Sequence, residues 1–127
     1  MPGVLVVDDD RAIRTMLSEV LTLEGYTVQV VEHGGPALDI LRASRDRMVV
    51  LLGLVMPYVN GEAVLEAVAA DEALALCHAI IMVTGSNAKM GGVAELRERL
   101  GVPLIAKPFT VKEILDAVEA AVARLNA

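Results

Sequence analysis

Five short aliphatic runs recur along the chain, and four of them are unbroken by any polar residue. Val4-Leu5-Val6-Val7, Met48 to Leu52, Ala79 to Val83 and Pro103 to Ala106 are apolar at every position, and only Thr27 to Val31 is interrupted. A strand that is apolar on both of its alternating faces has to be covered on both, which is the mark of a parallel sheet packed between helices.

The intervals between the runs carry helical spacing. Ile13, Met16, Leu17, Val20 and Leu21 lie on one helix face, with Asp10 as N-cap and Gly25 as the stop. Pro36 suits the first turn of a second helix bearing Leu38 and Leu41. Val64, Leu65 and Val68 mark a third helix after Asn60-Gly61, and Val93, Leu96 and Leu100 a fourth. Thr110-Val111-Lys112-Glu113 is a capping box, Phe109 and Ile114 can form a hydrophobic staple, and Ile114, Leu115, Val118, Val122 and Leu125 share the face that follows. Five strand-helix repeats predict an α/β fold over residues 1–127 as a single domain. It is a five-stranded parallel doubly wound sheet, (βα)5, with helices on both faces.

Length and charge narrow the function. A chain of 127 residues fits one domain. Its 17 acidic residues against 11 Lys and Arg give a net charge of −6, without the clustered cations that phosphate neutralisation needs, so direct nucleic-acid binding is not expected. The hydrophobic content of 55% calls for a membrane test. The longest stretch without a charged side chain, 73–88, is interrupted by His78, Thr84, Ser86 and Asn87, and it is shorter than the roughly 18 to 20 apolar residues of a span. No basic segment precedes the first apolar run, so no signal peptide is read there. A single cysteine, Cys77, allows no intrachain bridge, and the reading is a cytoplasmic protein without membrane association.

In a doubly wound sheet, ligands bind at the carboxyl ends of the strands. The first strand ends in Asp8-Asp9-Asp10, the third in Gly53 followed by Met56-Pro57, the fourth in Thr84-Gly85 and the fifth in Lys107-Pro108. Carboxylates suit a hard cation such as Mg²⁺, while an ammonium and a hydroxyl suit phosphoryl oxygens.

These motifs together resemble the receiver domains of two-component response regulators, which have a flavodoxin-like fold, and the resemblance covers essentially the whole chain. It rests on Val4 to Asp9 with its acidic pair, Leu54-Val55-Met56-Pro57 with Gly61, Thr84, and Lys107-Pro108-Phe109. The resemblance implies that Asp8, Asp9 and the backbone carbonyl of Val55 are the metal ligands, that Thr84 and Lys107 are the phosphoryl-site residues, and that Lys107-Pro108 is cis. It implies a sensor histidine kinase or an output protein or domain as partner. It also implies a partner or homodimer face on the fourth helix, fifth strand and fifth helix, where Ala117, Ala120, Ala121 and Ala123 lie.

Two departures bear on function. The family's phosphoacceptor is an aspartate three residues before Met-Pro, and this chain has Gly53 there. A backbone cannot supply the carboxylate nucleophile, so phosphorylation at the usual site is not expected, and any Mg²⁺ binding should be weak. The family's switch position, an aromatic residue three before the lysine, is Leu104. The expectation is an atypical receiver acting as a phosphorylation-independent interaction module, with no catalytic residue. An engineered replacement of the acceptor would also leave glycine at 53, but it would not account for Leu104. The enzyme alternative is a small phosphohydrolase of the haloacid dehalogenase type reading Asp8-x-Asp10 as its motif. It leaves Met-Pro and Lys-Pro-Phe unexplained, and no later acidic pair completes its site. Plain structural roles are assigned to Asp10 as a helix cap, Lys107 as counter-ion to Asp8 or Asp9, and Cys77, His33 and His78 as ordinary residues.

Overall fold

Five parallel strands run in the order β2-β1-β3-β4-β5 in the computed structural model, which describes residues 2–85 and 91–127. In chain order the elements are β1 (Gly3–Val7), α1 (Arg11–Leu23), β2 (Val28–Val31), α2 (Gly34–Ala43), β3 (Met48–Gly53), α3 (Gly61–Ala69), α4 (Glu72–Cys77), β4 (Ala79–Gly85), α5 (Val93–Leu100), β5 (Leu104–Lys107) and α6 (Val111–Leu125). All four strand pairings are parallel. The three inner strands carry three of the four unbroken apolar runs and bury Val4–Val7, Met48–Gly53 and Ala79–Thr84. β2, with the interrupted run, and β5 are edges and are half exposed.

Alternate residues of each strand feed two separate core layers. Leu5, Val7, Val50, Leu52, Ile80 and Met82 face α2, α3, α4 and α5. Val4, Val6, Val49, Leu51, Ile81 and Val83 face α1 and α6 through Leu17, Leu21, Ile114 and Val118. That division explains why a simple alternating pattern is absent from the sequence: both sides of the sheet are interior.

Local signals placed most boundaries. Asp10 caps α1 through Ala12 and Ile13 amides, Pro36 lies in the first turn of α2, and the Thr110–Glu113 capping box opens α6 with Phe109 packed on the same layer as Ile114. One element departs from the expected five helices. The described residues hold six, because Asp71 caps a short helix, α4, through the Leu74 amide. Its six residues bury only Leu74, too little to leave a periodic apolar signature. Among the described residues, no helix is long and apolar enough to cross a membrane.

Two residues lock the layout. Gly61, at the start of α3, donates its N–H to Leu54 O at 2.9 Å, and a Cβ there would lie 2.2 Å from Gly53 O and 2.9 Å from Leu54 Cα. Only glycine lets α3 begin so close to the end of β3. At the opposite edge His78, 5% exposed, joins three elements. Its Nδ1 accepts from Met48 N at 3.2 Å, so its Nε2–H donates to Leu41 O at 3.2 Å.

Gly61→Ala should therefore lower unfolding free energy by about 2 kcal/mol or more in urea titration, since backbone rather than a flexible side chain stands in the way; a loss under about 0.5 kcal/mol would refute the close approach. For His78, burial pushes the imidazole pKa down, partly opposed by the Leu41 carbonyl, because the neutral form alone satisfies both partners. A depressed folded pKa means the stabilisation is complete above the unfolded value of about 6.5 and is lost as pH falls from there toward the folded pKa. The wild type should thus lose stability on going from about pH 7.5 to 5.5 more steeply than His78→Gln, measured as the difference between their urea midpoints.

Candidate functional site

Parallel register brings four strand ends to one level. Val7 pairs with Leu52, Gly53 with Val83, Thr84 with Ala106, and Gly85 with Lys107. The residues just beyond or at these pairs, Asp8, Gly53, Thr84 and Lys107, therefore line the carboxyl edge of β1, β3, β4 and β5.

Asp8 is the centre of this edge. Its side chain is 5% exposed, and Oδ2 accepts from Lys107 Nζ at 2.9 Å while Oδ1 accepts the Asp10 N–H at 2.9 Å. The counter-ion role expected for Lys107 is thus satisfied on Asp8 rather than Asp9. Asp9 turns outward and is exposed, and the Asp10 carboxylate is engaged as the α1 cap. Thr84 is buried, 5% exposed.

Gly53 closes β3 in a confined position. A Cβ there would meet Val7 O at 3.2 Å, Asp8 Oδ2 at 3.5 Å and Met56 Sδ at 3.6 Å. A carboxylate built on it would enter a space bounded by oxygen and sulfur atoms, next to a carboxylate that already holds its lysine. Beyond Gly53 the chain buries Leu54 and Met56, while Val55 and Tyr58 are exposed on the loop to α3. Leu104 lies lower on the edge strand, level with Met82, and is 39% exposed. The Lys107–Pro108 bond is cis.

The donors for a divalent cation are few. Asp8 has one oxygen on an ammonium and the other on an amide, Asp9 faces solvent, residue 53 offers no side chain, and Val55 could add one carbonyl. Among the described residues, no group of three or more His, Cys, Asp or Glu side chains is placed to hold a metal. Asp8 and Asp9 carry oxygen donors of the type that Mg²⁺ takes.

Arg14 was not singled out from the sequence, yet it belongs to this edge. Its Nη1 donates to the Asp8 carbonyl at 2.8 Å, and its Nη2 lies 3.7 Å from Glu32. The signal was available: Arg14 follows the Asp10 cap by one helical turn, which returns its side chain to the end of β1.

Comparison with known proteins identifies the family and the fold. The family model for the response regulator receiver domain matches residues 4–119. Transcriptional regulatory protein CpxR of Escherichia coli (strain K12) is 34% identical over 125 residues, which is 98% of this chain and 50% of CpxR. Sporulation initiation phosphotransferase F of Bacillus subtilis (strain 168) is 35% identical over 117 residues, 91% of this chain and 90% of that protein. A CheY-like receiver domain protein from Methanospirillum hungatei JF-1 superposes with a TM-score of 0.86 at 28% identity, covering 98% of this chain and 97% of that one. The chain spans about half the length of CpxR and nearly all of the sporulation protein. From its sequence and its fold, this chain belongs to the response regulator receiver domain family.

Proposed function

We propose that this receiver domain serves two-component signalling without aspartyl phosphorylation, as a cytoplasmic protein-interaction module. The observation that carries the reading is glycine at the end of β3, where the family places its acceptor, with Lys107 already closed on Asp8 at 2.9 Å. Phosphoryl transfer to a receiver needs a carboxylate nucleophile, and residue 53 has none to offer. Thr84 and Lys107 are then remnants of a phosphoryl site. The lysine keeps a structural task as the counter-ion of a buried acid.

Receiver domains interact with histidine kinases and output domains, and a protein partner of one of these kinds is the proposed ligand here. The proposed surface is the α5–β5–α6 face, which holds a groove of about 590 Å³ lined by Ala94, Ala117, Ala120, Arg97, Val102 and Arg124. Small side chains there let another helix approach closely, and a second copy of the chain is one occupant of that kind. Leu104, exposed beside this face, has no ring to rotate between buried and outward states, so the face is expected to keep one conformation.

The phosphohydrolase alternative is weakened by Asp10. An acid/base carboxylate has to be free to reach substrate, whereas Asp10 accepts two α1 amides as a cap. The weak metal site proposed for Asp8, Asp9 and the Val55 carbonyl would supply charge neutralisation when occupied.

Incubation with Mg²⁺ and a small-molecule phosphodonor should leave the intact mass of this chain unchanged, while Gly53→Asp gains one phosphoryl group. A phosphorylated wild type would overturn the proposal, and an inert Gly53→Asp would overturn the assignment of residue 53 to the acceptor position. A second expectation concerns metal and stability. Gly53→Asp should be less stable than wild type in metal-free buffer, because two carboxylates then meet in a confined space, and Mg²⁺ should raise its thermal midpoint by several degrees while moving the wild type little. Equal Mg²⁺ responses would show that residue 53 does not govern the site.

A further inference from the structure

His33 caps α2, a position that usually goes to Ser, Thr, Asp or Asn. It has extended backbone, φ −157 and ψ −179, and its Nδ1 accepts the Gly35 N–H at 3.1 Å. A histidine can do this only while Nδ1 carries no proton. Once protonated, both ring nitrogens are donors, the cap bond is lost, and a unit positive charge sits at the positive end of the helix.

The ring has a second contact. It lies against Tyr58 of the β3–α3 loop, centroids 5.2 Å apart and planes tilted by 53°. Tyr58 has φ +64, the left-handed region that bulky residues avoid, and among non-glycine described residues it is alone in this. Tyr58 is 91% exposed, and the tilted imidazole is the aromatic ring that it meets. Next to both, Gly34 donates to Val59 O at 2.8 Å, and a Cβ on Gly34 would come within 2.5 Å of Val64 Cγ2 and 2.8 Å of Val59 O. The N-terminus of α2 is clamped to the loop with no slack, and that loop follows directly from Gly53.

We propose that His33 is a proton-operated latch that ties the α2 N-terminus to the strained Tyr58 turn, and that protonation frees the loop beside Gly53. The neutral ring serves both contacts at once; the charged ring must leave the Gly35 amide, and as it turns away its contact with the Tyr58 ring changes. On the histidine's own segment the titratable neighbour is Glu32, which turns to Arg14 at 3.7 Å, and from the packed loop it is the Tyr58 phenol. Among the described residues, no carboxylate oxygen lies within 4.0 Å of either ring nitrogen of His33. The device does not depend on whether residue 53 can be phosphorylated.

The test is a ¹H–¹⁵N titration of the ¹⁵N-labelled chain, with the two histidine rings followed separately. The Gly35, Tyr58 and Val59 amides should move together at the midpoint of the His33 ring. Exchange at Gly35, corrected for its intrinsic rate, should quicken by roughly fivefold below that midpoint, the factor matching a cap of ordinary strength. In His33→Asn, whose side chain caps without titrating, the three amides should stay still. In Tyr58→Gly, Gly35 should still respond while residues 58 and 59 should not. The proposal fails if the amides titrate alike in His33→Asn, if the His33 ring titrates in wild type with all three unmoved, or if only Gly35 moves. The wild-type titration decides the matter by itself should either variant not fold.

Discussion

A sheet buried on both faces leaves its chain few places for polar chemistry. Every inner-strand residue from Val4 to Val7, Met48 to Leu52 and Ala79 to Val83 has to be apolar, because each one meets a helix. Where the strands stop, that requirement stops too. Since the strands are parallel, their carboxyl ends lie along one edge, and residues far apart in sequence become neighbours there. Asp8 and Lys107, separated by 99 positions, touch because β1 and β5 end at the same level on either side of β3 and β4. The site is thus a consequence of the core, and the loops that shape it are short because the helices must return directly to the sheet.

Within that edge the buried carboxylate sets the terms. An ionised Asp8 at 3% exposure would be very costly alone, since a charge removed from water needs a partner and hydrogen bonds. It has Lys107 on one oxygen and the Asp10 amide on the other, and Arg14 binds the carbonyl of the same residue. Taking away the lysine would leave the acid uncompensated, a loss of a few kcal/mol of the kind seen when one member of a buried pair is deleted. Retention of Lys107 beside glycine at 53 therefore has a physical reason that does not invoke phosphate.

Much of this was legible in the sequence, and the limits have physical causes. Unbroken aliphatic runs and the Thr110–Glu113 box determine their elements locally, so the strands themselves and the last helix could be read with little ambiguity. The helix Glu72–Cys77 could not, because it buries one leucine and presents no stripe. The acidic pair was legible as a pair but not as unequal partners: that Asp8 is buried and Asp9 exposed depends on which way the chain turns after β1. His33 and His78 looked alike as isolated histidines. His33 caps α2 through the nearby Gly35 amide, but its contact with the strained Tyr58, 25 positions away, and the bridge that His78 makes to β3 and α2, 30 and 37 positions away, are encoded by no local pattern.

Charge balance gives the absent side chain its meaning. With an aspartate at 53 the pocket would place two carboxylates within a few ångströms of each other, against one ammonium, and a divalent cation would be the natural way to restore neutrality. With glycine, the buried part of the site holds one carboxylate and one ammonium 2.9 Å apart, and Asp9 is left to solvent, where its charge is screened. The pocket is then neutral without metal, and there is no acceptor whose charge could change on signalling. On the function proposed above, a receiver built this way would lack both the reaction and the electrostatic imbalance that would power a switch at this edge. What remains is a sheet buried on both faces and a loop after Gly53 that meets α2 through the Gly34 N–H and Val59 O.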